Sequence, residues 1–114
     1  MESRILFQKI VIFGVGLIGG SFALALKSAG AVKEIVGFSR SIETLKTAFD
    51  LNIIDRIAHD IESEIPSADL IFIATPMQQM PIILKSIAPY LNKNTMIMDA
   101  GSTKMSVVLQ AQKI

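Results

Sequence analysis

Three glycines, Gly14, Gly16 and Gly19, have the Gly-x-Gly-x-x-Gly spacing that is typical of loops holding the pyrophosphate of a dinucleotide. The first glycine allows a tight turn, the second lets the backbone approach the phosphates, and the third lets a helix pack closely on the preceding strand. Leu17 and Ile18 would open that helix, where free N–H groups and the helix dipole attract an anion. The same glycines would also suit a turn that binds nothing.

The sequence Ser39-Arg40-Ser41 follows these glycines by about 20 residues, the distance at which an NAD site carries a carboxylate for the ribose hydroxyls. No carboxylate stands here. The guanidinium of Arg40 and the two hydroxyls can instead meet a 2′-phosphate, and each such contact contributes about 1.5–3 kcal/mol. We therefore expect NADP as cofactor, with NAD as the alternative if Arg40 only covers the adenine or points to solvent.

Two further turns are expected to border the same ligand. Thr75-Pro76 ends a strand near the place where the nicotinamide half should lie. Ser102 lies in a Gly-Ser-Thr-Lys turn at 101–104 and could hydrogen-bond a substrate or the nicotinamide amide, while Lys104 could attract a carboxylate. Helix capping explains Thr75 and Ser102 equally well, and a solvated side chain is an equal account of Lys104.

The other residues able to do chemistry exclude several classes of protein. The chain has no cysteine and a single histidine, His59, which excludes a disulfide scaffold, a thiolate zinc site and a multi-histidine metal site. Eleven Lys+Arg against ten Asp+Glu give a net charge of +1, so no nucleic-acid partner is expected. We expect His59 to be solvated and Asp99 to accept hydrogen bonds from backbone N–H groups.

The hydrophobic pattern predicts alternating strands and helices that would position these residues. Continuous apolar runs indicate buried strands, and apolar residues three and four apart indicate helices. Strands are predicted at 7–13, 34–38, near 56–58, 69–75 and 95–100, and helices at 18–30, 41–50, about 60–65, between Pro76 and Pro89, and after Gly101. The second helix should carry Ile42, Leu45 and Phe49 on one side, and the last helix should turn Met105, Val108 and Ala111 inward.

This alternation predicts one α/β domain over residues 1–114, a three-layer, Rossmann-type doubly wound parallel sheet. Ligands of such sheets lie at the carboxyl ends of the strands, which is where the four turns fall. The mean hydropathy of +0.52 and the uncharged run 10–26 would also suit a membrane span or a signal peptide. Four glycines and a change of apolar period within that run argue against both, and we expect no membrane partner.

Five segments together resemble the amino-terminal half of prephenate and arogenate dehydrogenases, in order and in spacing. They are Gly-Val-Gly-Leu-Ile-Gly-Gly-Ser (14–21), Val-Gly-Phe-Ser-Arg (36–40), Leu-Asn-Ile-Ile-Asp (51–55), Ala-Asp-Leu-Ile-Phe-Ile-Ala-Thr-Pro (68–76) and Asp-Ala-Gly-Ser-Thr-Lys (99–104). The resemblance implies a cytoplasmic enzyme of tyrosine biosynthesis that removes a hydride and carbon dioxide from prephenate or arogenate. It also implies that Ser102 lies beside nicotinamide and substrate, that Thr75-Pro76 lines the nicotinamide ribose, and that the Ser-Arg pair marks an NADP user.

One departure from the family matters for activity. Its catalytic histidine stands in a His-Pro-Met-Ala-Gly-like segment, followed by substrate-binding arginines and an all-helical domain that forms a homodimer. The 114 residues contain none of these, and His59 does not match that histidine. We therefore expect this chain to bind NADP(H) without turning over prephenate. The alternatives are a cofactor domain of another 6-phosphogluconate-dehydrogenase-like reductase, such as an imine or hydroxyacid reductase, and a nonenzymatic nucleotide-binding module.

Overall fold

The computed structural model describes residues 6–14, 16–75 and 79–99, and the backbone of 107–108. The elements are β1 (Phe7–Phe13), α1 (Leu17–Ser28), β2 (Val32–Phe38), α2 (Ile42–Asp50), β3 (Arg56–Ile57), α3 (Ile61–Glu64), β4 (Leu70–Ile73), α4 (Met80–Ile87), β5 (Met96–Asp99) and β6 (Val107–Val108). A short 3₁₀ turn, Ala88–Tyr90, follows α4. Within the described ranges, no helix combines the length and the apolar composition needed to cross a membrane.

The strands form one sheet in the order β3-β2-β1-β4-β5-β6. The first five are mutually parallel, which confirms the predicted Rossmann-type α/β fold. The chain order reverses between β1 and β4, where the connections leave in opposite directions and open a crevice. The last residue of β1, Phe13, is level with Phe38 of β2 and Ile73 of β4, so three strands end at the same edge.

Both faces of the sheet are covered, because the apolar runs present buried side chains on each side. One core lies between the sheet and α1 and α2, and includes Ile12, Ala23 and Phe72. The other lies between the sheet and α3 and α4, and includes Val11, Ile71 and Ile87. The uncharged run 10–26 is thus divided between β1 and α1 by the glycine turn.

The apolar side predicted for α2 is buried only in part. Leu45 is buried as expected, but Ile42 is 58% exposed and Phe49 is 48% exposed. Ala48 is buried in their place, and Ile54 joins the same core after a turn at Asn52 with φ 63°. Asn52 tolerates this left-handed conformation better than most residues, and the turn lets Ile54, which lies outside the helix, join the core.

The helix predicted after Gly101 is wrong at its described residues. Val107 and Val108 form β6, an antiparallel strand paired with Met98 and Ile97 of β5. Two β-branched residues suit a strand better than a helix, and β6 pairs with the outer edge of β5. Met105 and Ala111, which were expected to face inward with Val108, lie outside the described residues.

A buried ionic network that the sequence did not suggest joins α3 to the first three strands. Lys9 Nζ lies 2.8 Å from Glu64 Oε1, and both side chains are almost fully buried. Arg56 donates to the two oxygens of Glu64 at 2.7 and 2.9 Å and to Glu34 at 2.8 Å. These bonds, led by those from Arg56, lower the pKa of Glu64 to about 2. The carboxylate is therefore charged at every physiological pH.

Candidate functional site

A cavity of about 430 Å³ opens at the edge where β1, β2 and β4 end. It lies beside the reversal of strand order, as ligand sites of open α/β sheets do. Its wall combines a glycine turn, a cationic turn and a few apolar side chains. The lining residues are Phe13, Gly14, Gly16, Phe38, Ser39, Arg40, Ser41, Thr44, Ala74, Thr75, Gln79 and Ile83.

Gly14 makes the turn that leaves β1. Its φ is 88°, in the left-handed region that favours glycine, and its N–H donates to Phe38 O at 2.8 Å. A Cβ here would lie 2.9 Å from both Ala74 O and Thr75 Cγ2. Gly14 therefore lets the turns after β1 and β4 touch, which no larger residue would allow.

Gly16 and Gly19 differ in what surrounds them. A Cβ on Gly19 would lie 2.5 Å from Gly14 O and 3.2 Å from Ile12 Cγ2, so α1 packs against β1 as closely as the spacing predicts. A Cβ on Gly16 would meet nothing within 4 Å. Gly16 is the N-cap of α1, where no side chain caps the helix and the first turn holds no acidic residue. The N-terminus of α1, opened by Leu17 and Ile18, is thus available to an anion.

The cationic turn after β2 is ordered by its own hydroxyls. Ser39 Oγ accepts from Ser41 N at 3.1 Å, and Ser41 Oγ accepts from Thr44 N at 3.2 Å as the N-cap of α2. Both hydroxyl hydrogens stay free to donate, because the oxygens act as acceptors in these bonds. Arg40 is exposed and makes no ion pair within the described part of the chain. None of the described residues that line this cavity is a carboxylate that would compete for it.

Six cavity residues were not predicted from the sequence as ligand-binding: Phe13, Phe38, Thr44, Ala74, Gln79 and Ile83. Phe13 and Phe38 stack with ring centroids 4.7 Å apart and an angle of 3° between the planes. Both residues end strands that the sequence predicts, and this position was the sequence feature from which their place in the cavity wall could have been predicted. Gln79 and Ile83 come from the start of α4 and its second turn, and only the fold brings them to this edge. A further residue, Thr44, lines the cavity one helical turn beyond Arg40.

Thr75 follows β4 and also lines the cavity. Its Oγ1 is buried and has no hydrogen-bond partner in the part of the chain that the structure describes. The described helix α4 begins at Met80 with Gln79 as its N-cap, so Thr75 does not cap α4. The adjoining Pro76 and the expected substrate-side residue Ser102 lie outside the described residues. The structure thus brings Gly14, Gly16, Thr75 and the Ser39-Arg40-Ser41 turn together at one edge.

His59 lies elsewhere. It is exposed and borders a second cavity of about 930 Å³ with the ionic network of Lys9, Arg56 and Glu64, and the two cavities share no lining residue. Its backbone N–H donates to Glu64 at 3.0 Å. The solvated position expected for His59 is therefore observed.

The strand order, the glycine turn and the cavity at the reversal point together define the class of a Rossmann-type nucleotide-binding domain. Residues 22–114 match the family model described as prephenate dehydrogenase, nucleotide-binding domain. The chain belongs to this family. The predicted resemblance is confirmed, including the Rossmann fold.

Relatives with assigned activities extend beyond this chain. The cyclohexadienyl dehydrogenase of Zymomonas mobilis is 35% identical over 106 residues, which are 93% of this chain and 36% of that protein. The prephenate dehydrogenase of Bacillus subtilis is 38% identical over 106 residues, 92% of this chain and 29% of that protein. The chain thus spans about a third of the length of these oxidoreductases.

The fold is shared with a solved relative. The structure of Aquifex aeolicus prephenate dehydrogenase, in complex with hydroxyphenyl propionate and NAD⁺, superposes with a TM-score of 0.74 and 32% identity. The match covers 81% of this chain and 32% of that one.

Proposed function

We propose that this chain binds NADP(H) across the carboxyl edge of its sheet. Two observations fit a dinucleotide there. The space beside Gly16 is open and the N-terminus of α1 has no side-chain cap, which suits a pyrophosphate approached by the backbone of Leu17 and Ile18. The cavity then leads past Thr75, whose hydroxyl has no partner within the described residues.

The turn at Ser39-Arg40-Ser41 carries the preference for NADP. It offers one exposed guanidinium and two hydroxyl donors, and the cavity's described lining contains no carboxylate. A 2′-phosphate would bind this set with charge-assisted hydrogen bonds, whereas the 2′-hydroxyl of NAD would leave the guanidinium unused. NAD is the alternative, and the Aquifex aeolicus relative was solved with NAD⁺.

Titration of the protein with NADPH and with NADH, followed by the fluorescence of the dihydronicotinamide, tests this preference. We expect NADPH to bind about tenfold or more tightly than NADH, because a hydrogen bond to a charged group contributes about 1.5–3 kcal/mol. Arg40→Ala should remove most of that difference and leave NADH binding within about twofold.

Lys46→Ala is the matched control for the titration, since Lys46 is an exposed cation of the same helix region that does not line the cavity. It should leave both affinities unchanged. Equal or tighter binding of NADH by the unaltered chain would refute the NADP proposal.

We further propose that the domain serves the oxidative decarboxylation of prephenate or arogenate in tyrosine biosynthesis. In this reaction a hydride leaves the substrate ring, carbon dioxide is lost and the ring becomes aromatic. The nicotinamide, when bound, supplies the hydride acceptor. The residues of this chain would hold the dinucleotide at the glycine turn and at Arg40, and Ser102 would support the nicotinamide and substrate. Support for this substrate class comes from the family assignment.

Turnover is a separate proposal from binding. The only histidine among the 114 residues borders a cavity that shares no lining residue with the proposed nucleotide site. We therefore expect the 114-residue chain to bind NADP(H) but to show no NADP-dependent loss of prephenate or arogenate. Absorbance at 340 nm with either substrate measures this, and sustained NADPH formation would contradict it.

A further inference from the structure

The segment Leu51-Asn52-Ile53-Ile54-Asp55 carries part of the family resemblance, and the structure places it against both ends of α1. Near the beginning of α1, a Cβ on Gly20 would lie 3.8 Å from Ile53 Cγ2, so Ile53 stands beside the first turn of the helix. Near the end of α1, Lys27 Nζ donates to a backbone oxygen of the segment at 2.8 Å and to Asp55 Oδ1 at 3.0 Å.

Asp55 is itself fixed to the sheet. Its second carboxylate oxygen, Oδ2, accepts from Ile35 N at 2.7 Å, and its backbone N–H donates to Ile35 O at 2.8 Å. Through Lys27, Asp55 therefore joins the end of α1 to β2. The other ends of these two elements are the N-terminus of α1 and the turn at Ser39-Arg40-Ser41, which are the two anion-binding parts of the proposed nucleotide site.

A tilt of α1 would move both of its ends. The closest packing of α1 is near its beginning, since a Cβ on Gly19 would lie 2.5 Å from Gly14 O. Lys27 stands about 12 Å further along the helix. Without the bonds of Lys27, the end of α1 can tilt about the contact at Gly19, and the N–H groups at the beginning of the helix then tilt in the opposite direction. Hydrogen bonds from these groups weaken as they lose alignment.

We propose that Lys27 and Asp55 are positioning residues that keep the N-terminus of α1 aligned with the pyrophosphate of the bound dinucleotide. This inference rests on the proposed function. Neither side chain lines the 430 Å³ cavity, so both act through α1 and not by contact with the ligand. Removal of the pair should weaken a ligand that reaches the glycine turn, and should not affect a ligand that binds only at Ser39-Arg40-Ser41.

Two substitutions break the pair. Lys27→Met removes the ammonium group and keeps the apolar part of the side chain, and Asp55→Asn removes the charge but keeps an oxygen that can accept from Ile35 N. Each should weaken NADPH binding by about two- to fivefold, a range set by the small energy of an exposed ion pair. The double variant should lose no more than Lys27→Met alone, because both changes break the same contact. Lys27→Arg keeps the ion pair and should bind NADPH as the unaltered chain does.

A fragment of the ligand separates positioning from a general effect on the fold. Adenosine 2′-monophosphate carries the 2′-phosphate but no pyrophosphate, so each single variant should bind it as tightly as the unaltered chain does. Its Kd is measured by displacement of NADPH, followed by the fluorescence of the dihydronicotinamide. Thermal unfolding of each variant shows that it is folded at the temperature of the titration.

Glu34→Gln is the matched control. It breaks an ion pair of comparable exposure, from Arg56 Nε to Glu34 Oε2 at 2.8 Å, which joins β2 to β3 and does not involve α1. This variant should leave the Kd values for NADPH and for adenosine 2′-monophosphate unchanged.

The outcomes distinguish this inference from the proposed function. If the unaltered chain binds neither NADPH nor NADH, both are wrong. If it binds NADPH, and Lys27→Met and Asp55→Asn bind NADPH equally well, only the positioning role is wrong. Equal weakening of NADPH and adenosine 2′-monophosphate, or the same loss of NADPH affinity in Glu34→Gln, would also overturn the role, since the effect would then come from the fold as a whole.

Discussion

At the scale of single residues, the glycines of one motif have different functions. Gly14 is required by its φ of 88° and by the turn after β4, and Gly19 is required by the backbone of Gly14 itself. Neither backbone conformation nor packing requires a glycine at position 16, because the space where a side chain of Gly16 would stand is open. Two of the three glycines thus build the fold, and Gly16 is the one that leaves room for a ligand.

Alanine substitutions at these glycines should therefore separate folding from binding. Gly16→Ala should keep the thermal midpoint within a few degrees and weaken NADPH binding by about tenfold or more, because a methyl group would stand where the phosphates approach. Gly19→Ala should lower the stability of the free protein by about 1–3 kcal/mol, because its Cβ would lie against the carbonyl of Gly14. Thermal unfolding and NADPH titration measure the two effects.

Gly20→Ala is the control for both variants. A Cβ at Gly20 would make ordinary contact with Ile53 at 3.8 Å, so this variant should fold and bind normally. If the Gly16→Ala variant binds NADPH as tightly as the unaltered chain, the pyrophosphate does not bind beside Gly16.

The residues of the site differ in how far the sequence predicts them. The glycine turn and Ser39-Arg40-Ser41 are local patterns, and each adopts the turn that its residue types favour. The Phe13–Phe38 stack and the approach of Gln79 depend on contacts between elements far apart in the chain. Tertiary packing decides such contacts, and local patterns do not contain them.

At the scale of elements, α3 shows how a helix of four residues is held in place. Asp60 caps it by accepting from Ser63 N at 2.8 Å, but a single turn has little stability of its own. Glu64 at its end accepts from Lys9, Arg56 and the backbone of His59. The side chains of β1 and β3 thus fix α3 against the sheet.

This network gives stability a defined dependence on pH. The pKa of Glu64 falls from 4.5 to about 2 on folding, so its contribution is present above pH 4.5 and is lost as the pH falls towards 2. The contribution is about 3 kcal/mol at neutral pH. Denaturant unfolding at several pH values should show this loss.

Glu64→Gln should lower stability at pH 7 by about 3 kcal/mol, because it leaves the buried Lys9 without its counter-charge. It should also flatten the acid dependence between pH 4.5 and 2. Glu62→Gln, an exposed neighbour in the same turn, is the matched control and should change stability by less than about 0.5 kcal/mol. Equal stability of the two variants would show that the network contributes nothing.

The elements also show where hydrophobic patterns fail. The pattern placed β1, β4 and α4 well because their apolar runs are long and regular. It did not show that Phe49 would be half exposed while Ile54, beyond the turn at Asn52, is buried. It misassigned Val108 because pairing with β5 overrides a weak helical pattern. The periodicity of one segment does not show which core side chains or strand partners another segment contributes.

At the scale of the whole molecule, no single element forms the cavity. Its walls come from the turns after β1, β2 and β4 and from the start of α4. The reversal of chain order between β1 and β4 makes these turns neighbours, and the contact between Gly14 and Ala74 joins them. The proposed binding of a dinucleotide would therefore depend on the correct assembly of β1, β2 and β4 together with the start of α4.

The pairing of β1 with β4 also sets an order of events during synthesis. Ile10 pairs with Leu70, so the edge of the cavity closes only after the intervening β2, β3 and three helices have been made. Contacts so distant in sequence form late, because the loop between them must close first. A nucleotide in the cell would thus stabilise only chains that have already extended past β4, and the ribosome-bound chain before that point has no site to offer it.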